Sequence, residues 1–360
     1  MLAIAFLLCG LCAADVVDNL QAIGRPAMNA AIANSSTCTK QNLRVRREWG
    51  DITATNKKAY IAAVLCLTKS SSRLNATEYP GAKTRYDDFV ALHMKYSLTV
   101  HNTGNFLSWH RYFTYAYEEA LRVECGYNGT QPYWNWGRYA NPETSPLFDG
   151  SETSLSGQGG NVTHVGNGLK PPGQGGGCIT TGPFKDMKVN LGPLALQADV
   201  TDPIKNPQAN GFGYNPRCIK RDISGFLVQR DATPLKIATL IINNTAIGPF
   251  QETMQAPQGV HTAGHFTVSG DPGSDFYTSP GDPYFFLHHA MIDRVWYIWQ
   301  SLEFGNRQQV IAGGTNFTGG GHPQRLDDVQ DLEVLNVGGK AYPIKELVST
   351  VAGPFCYIYE

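Results

Sequence analysis

The chain has 360 residues, with 29 Lys and Arg against 30 Asp and Glu, a formal net charge of −1 and only 16% charged residues. That length is ample for one large hydrophobic core. A near-neutral balance without a basic stripe argues against nucleic acid or an anionic membrane surface as partner.

The first feature in chain order is MLAIAFLLCGLCAA (1–14), an apolar run too short to span a bilayer and ending in small residues. It predicts a cleaved secretory signal, although no Lys or Arg precedes the run. Residues 15–360 then form the mature, extracellular protein. Six cysteines remain in that part: Cys38, Cys66, Cys125, Cys178, Cys218 and Cys356. An even number in a secreted chain favours three disulfides, among fifteen possible pairings. Six N-x-S/T sequons, at Asn34, Asn75, Asn128, Asn161, Asn243 and Asn316, agree with passage through a glycosylating compartment.

Residues 41–66 are charged and helix-compatible, with Thr53 or Thr55 as a cap for the segment ending near Cys66. Segments 86–97 and 108–125 also read as helices, the second with Ser108 as its N-cap. The stretch 156–177 carries nine glycines and reads as a long surface loop. Residues 250–265 are expected to be helical around a histidine pair. The run DPYFFLHHAMIDRVWYIWQSLE (282–303) opens on Asp-Pro and is apolar nearly all round, which places it in the middle of a core. One domain is expected, its two helical halves closing on each other.

Seven of the nine histidines fall in two short windows, 93–110 and 261–289. Neutral imidazole is the commonest transition-metal ligand. His261 and His265 are four apart, so on a helix they share a face and can hold one ion. H-x-x-x-H alone is a weak signal, and Thr262 stands where a zinc protease would carry its glutamate base. His288 and His289 lie on the long apolar helix, where an uncoordinated pair is costly to bury. His93, His101 and His110 are spaced eight and nine apart, so they come from two helices and the connection between them. Three ligands so placed leave a coordination position open, which means chemistry or ligand binding.

The runs HNTGNFLSWHRYF (101–113) and DPYFFLHHAMIDRVWYIWQ (282–300), with H-x3-H at 261–265 and His93, resemble the copper signatures of the tyrosinase, catechol oxidase and haemocyanin family. The resemblance implies a mainly α fold: a four-helix bundle with long loops around a binuclear type 3 copper centre. It implies two copper ions, one on His93, His101 and His110, the other on His261, His265 and His289. His289 aligns as the ligand because it stands four before Asp293; His288 then orients the site from behind. Phe285 resembles the family's aromatic gate, Asp293 and Arg294 its structural partners, and Tyr357-x-Tyr359 the tyrosine motif that lies near an arginine such as Arg46 or Arg47. Longer members carry a C-terminal covering domain, which is not expected here. Of the fifteen pairings, the favoured set is Cys38–Cys356, tying the two ends, with Cys66–Cys125 and Cys178–Cys218.

Departures from the pattern bear on activity. Thr99 stands where many fungal members have a cysteine cross-linked to the second histidine, so no thioether is expected. Thr262 stands where an asparagine often accompanies monophenol hydroxylation. The family's water-holding glutamate has two candidates, Gln258 and Glu252, and an amide at 258 holds water but is no base. The expected activity is therefore oxidation of o-diphenols to o-quinones with reduction of O2 to water, on small phenolic substrates. The alternatives are a monophenol-hydroxylating tyrosinase, an o-aminophenol oxidase and, outside enzymes, a haemocyanin-like oxygen carrier.

Overall fold

A computed structural model describes residues 15–360; the expected signal segment lies outside the described residues. The long helices are α1 (Val16–Ala33), α2 (Ala54–Leu67), α3 (Arg85–Val100) and α4 (Phe106–Cys125) in the first half. After a loop-rich middle come α5 (Phe226–Asp231), α6 (Pro234–Asn243), α7 (Ile247–Gln255), α8 (Val260–Val268) and α9 (Tyr284–Leu302).

Helices α3, α4, α8 and α9 surround the histidines, α2 packs on α4, and α1 and α6 pack on α9. This is the expected mainly helical bundle with long loops. Every residue of α9 from Tyr284 to Ser301 is buried, as its all-round apolarity predicts. Helix α3 opens on a capping box in which Thr84 and Asp87 satisfy each other's backbone N–H groups.

The ends differ from the sequence reading. Helix α1 lies ahead of the first expected helix, starting at an Asp15 cap that accepts from the N–H groups of Val17 and Asp18. Gly24 and Pro26 inside it break the propensity signal. Gly24 is nevertheless required, because a Cβ there would stand 1.9 Å from Ser301 Oγ on α9. Helix α4 begins at Phe106, so Ser108 lies within its first turn and is not its cap. The expected helix over 250–265 is two helices, α7 and α8. Pro257 supplies no N–H, and a side chain at Gly259 would strike Met254 O at 2.3 Å.

The six cysteines pair as Cys38–Cys356, Cys66–Cys125 and Cys178–Cys218, as favoured above. Strand Arg44–Arg46 runs parallel to Tyr357–Tyr359, bringing the ends together beside the first disulfide. Arg46, not Arg47, is the arginine of the tyrosine motif, with its guanidinium 3.6 Å from the Tyr357 ring centre. The glycine-rich loop is ordered by Asp222, which accepts from Lys170 Nζ and from the backbone N–H groups of Gly173 and Gly175. Of the sequon asparagines, Asn34, Asn75, Asn128, Asn161 and Asn243 are exposed, whereas Asn316 is half-buried. No described helix is long and apolar enough to cross a membrane.

Candidate metal centre

Two groups of imidazoles meet where the four central helices converge. The ligand nitrogens of His93, His101 and His110 lie within 4.8 Å of one another, and so do those of His261, His265, His288 and His289. The groups face each other: the His110 and His289 rings stack with centres 4.4 Å apart and planes at 12°.

The first group is oriented largely by its own helices. His101 Nδ1 donates to Ser97 O at 2.9 Å and His110 Nδ1 to Phe106 O at 2.8 Å, each four residues back. His93 Nδ1 donates to Tyr277 O at 2.7 Å, across the fold. A proton held on Nδ1 leaves the Nε2 lone pair free, the usual way a protein prepares a ligating imidazole. Asn102, which follows His101, adopts a left-handed φ of +51°.

The second group depends on tertiary contacts. His261 and His265 project from one face of α8, and Tyr284 Oη stands 3.5 Å from His265 Nδ1. His265 Nε2 and His289 Nε2 approach to 3.3 Å. His93 Nε2, His110 Nε2 and His261 Nε2 are buried with no hydrogen-bond partner among the described residues. Buried lone pairs aimed at one another are costly unless a cation joins them. The donor set therefore fits two soft-to-borderline metal ions bound by nitrogen alone. Burial pushes every one of these imidazoles below its ordinary pKa, His101 to about 4 and His265 to about 3. At neutral pH all are uncharged, the form that binds a metal.

His288 differs from its neighbour. Its Nδ1 lies 3.1 Å from Trp136 Nε1, and an indole N–H can only donate. His288 Nδ1 is thus the acceptor, and the proton of the neutral ring sits on Nε2. A ring so held has no free lone pair for a metal, whereas His289 Nε2 faces His265 with none of that constraint. Gly264 makes room for this ring, since a Cβ there would stand 2.2 Å from His288 Nδ1.

Behind the two metal-facing helices lies Asp293, one turn beyond His289. It takes Arg111, next to His110, at 2.5 Å on one oxygen, and the Tyr357 and Tyr359 hydroxyls at 2.6 Å on the other. Burial alone would raise this carboxyl, but the guanidinium groups of Arg111 and Arg46 hold it below the usual range. Arg294 turns away to Gln21 and Asp18 of α1.

A cavity of about 270 Å³ opens onto His101, His261 and His265. Thr262 lines it, and its hydroxyl donates to Ala256 O. Phe285 does not line it. That ring is fully buried, its centre 4.2 Å from that of His289 and 5.2 Å from that of His93, so it packs against imidazoles of both groups. The aromatic walls are Phe266, Phe276 and Phe317. Gln258 and Glu252 are exposed and outside the cavity, Gln258 in the break between α7 and α8. The amides that do line it are Asn102, Gln197 and Gln255; Gln255 Oε1 accepts from Asn102 N at 2.8 Å. Sequence reasoning missed Trp136, Gln255, Phe276 and Phe317, which no spacing rule links to the histidines. Thr99 is exposed, with its hydroxyl on Tyr96 O, and forms no cross-link.

Residues 83–302 match the family model for the common central domain of tyrosinase. The chain is 42% identical over 300 residues to the tyrosinase-like protein orsC of Emericella nidulans, covering 78% of this chain and 80% of that one. It is 38% identical to the N-acetyl-6-hydroxytryptophan oxidase ivoB of the same organism, covering 93% and 97%. Among solved structures, a variant of the polyphenol oxidase from Thermothelomyces thermophila superposes with a TM-score of 0.87 at 36% identity, covering 96% and 97%. With its two facing imidazole groups, this chain belongs to the tyrosinase family of binuclear copper oxidases.

Proposed function

We propose that the protein is a secreted catechol oxidase whose single domain, residues 15–360, converts two o-diphenols and one O2 into two o-quinones and two waters. His93, His101 and His110 hold one copper, and His261, His265 and His289 hold the other. Bound there, copper supplies the one-electron redox steps and the open coordination positions for oxygen and phenolate. The chain keeps the imidazoles neutral, fixes their rings through Nδ1 where a carbonyl is in reach, and surrounds substrate with aromatic walls.

The observation that carries the diphenol reading is the lack of a free base at the cavity. Among the described residues its one lining carboxylate, Asp275, has both oxygens occupied by backbone N–H groups. Glu252 and Gln258 stand outside it. A monophenol has no carboxylate there to take its proton, whereas a catechol gives up its first proton more readily. Three disulfides and five exposed sequons support secretion and glycosylation.

The relative named as an N-acetyl-6-hydroxytryptophan oxidase favours a second reading, in which single hydroxyls are also oxidised. Oxygen uptake by the copper-loaded protein decides between them. Rapid uptake with 4-tert-butylcatechol and little with 4-tert-butylphenol is expected. Equal uptake makes the protein a tyrosinase, and none with either, at two coppers per chain, removes the oxidase reading.

A further inference from the structure

Away from the metal centre, a groove of about 570 Å³ lies against the second half of α1. Ala27, Ala30 and Ala31 line it from that helix, and Phe304, Val351 and Ala352 from later in the chain. Positions 27, 30 and 31 share one helix face, so three small side chains leave an apolar trough. Apolar surface gathered in one place and left in water usually marks a contact.

The trough also holds an unmet acceptor. Gln308 lines it, and its Oε1 is buried with no hydrogen-bond partner among the described residues. Such an oxygen is costly unless an N–H reaches it. Asn34 lies in the same groove, exposed, at the C-cap of α1. It opens the sequon Asn34-Ser35-Ser36. The turn is pinned, because Ser35 Oγ donates to Val351 O at 3.1 Å and accepts from Cys38 N at 2.9 Å, next to the Cys38–Cys356 disulfide. A group attached at Asn34 therefore starts from a fixed point in the groove, which lowers the ordering cost of seating it.

We propose, resting on the secretion reading above, that an N-linked glycan on Asn34 seats its first N-acetylglucosamine in this groove and forms part of the fold. On attachment, Asn34 Nδ2 loses one hydrogen and bonds the anomeric carbon of the sugar, and the lipid diphosphate donor of the secretory pathway leaves with the proton. The acetamide N–H of that sugar donates to Gln308 Oε1, while its methyl group and the apolar side of the ring cover Phe304 and the alanines. The glycan supplies both things the groove lacks, a donor and apolar cover.

The test uses protein secreted by a eukaryotic host, with its glycans mapped by peptide mass spectrometry. Ser36→Ala removes this sequon and keeps Asn34; Thr77→Ala removes the one at Asn75 and serves as control. Ser36→Ala is expected to lower the melting temperature by about 2 °C or more, and Thr77→Ala to leave it unchanged. Trimming all glycans to their first sugar should preserve the wild-type value, because only that sugar is seated. Gln308→Leu should lower the melting temperature of the glycosylated protein and not that of Ser36→Ala; equal shifts in both would overturn the inference. So would an occupied Asn34 whose loss costs nothing, or sugar at other sequons and none at Asn34. A dimer in sedimentation that Phe304→Glu dissociates would give the groove to a second copy and overturn it as well. Absence of sugar from every sequon removes the secretion reading together with the inference. None of these readouts depends on copper or turnover.

Discussion

The two metal-binding halves are built by different means. In the first, His101 and His110 fix their rings on carbonyls one turn back in their own chain segment, and only His93 reaches across the fold. In the second, His265 leans on Tyr284, and His288 is set by Trp136 from the distant segment 133–136. Local hydrogen bonds form with the helix that carries them, whereas the second half is correct only once α8, α9 and that segment have docked. Disturbing tertiary packing should therefore loosen the second copper before the first.

The largest effects come from the ligands. His110→Ala and His289→Ala should each lose catechol oxidation, with copper falling from two per chain towards one, read by elemental analysis. Retention of two coppers in His289→Ala would transfer its role to His288.

Next is Asp293→Asn, which leaves Arg111 and Arg46 buried beside a neutral partner. Breaking a buried pair from one side costs about 3–5 kcal/mol, measurable by urea unfolding at pH 7. Because its carboxyl is held low in the folded state, Asp293 contributes stability above the unfolded value of about 3.9. That contribution is lost as pH falls through this range towards the lower folded pKa. The variant should accordingly show a shallower acid limb than the wild type, and parallel limbs would contradict the assignment.

Gly264→Ala is smaller and tests the second half alone. The added methyl meets the His288 ring, so overpacking of about 1–3 kcal/mol is expected in thermal unfolding. Smallest is Trp136→Phe, which frees His288 Nδ1 to take the proton. The second copper should bind about 10–100-fold more weakly while the first stays bound, in a chelator competition. Equal weakening of both would show that the two halves are not independently organised.

Much of this was legible in the residues. The histidine windows specify the donor set, because imidazole spacing on helices decides which rings share a face. The nearly all-round apolarity of 284–301 predicted that α9 would be central, and the even cysteine count predicted three disulfides. Helix α1 was not legible, since Gly24 and Pro26 argue against a helix whose stability comes from lying on α9. Gln258 and Glu252 looked like candidates by counting back from His261. In the fold Glu252, on α7, and Gln258, in the break around Pro257 and Gly259, are both exposed, and Gln255 lines the cavity.

By itself the sequence determined which atoms can bind metal and roughly where along the chain they lie, because ligand chemistry belongs to side chains and helical spacing is local. Only the tertiary structure brings Trp136, 152 positions away, onto Nδ1 of one of the two adjacent histidines, His288. It likewise decided that Phe285 is buried against imidazoles of both groups while Phe276 and Phe317 line the cavity. Tautomer, aperture and charge in a cavity depend on which distant groups come into contact, and no local period in the chain encodes those contacts.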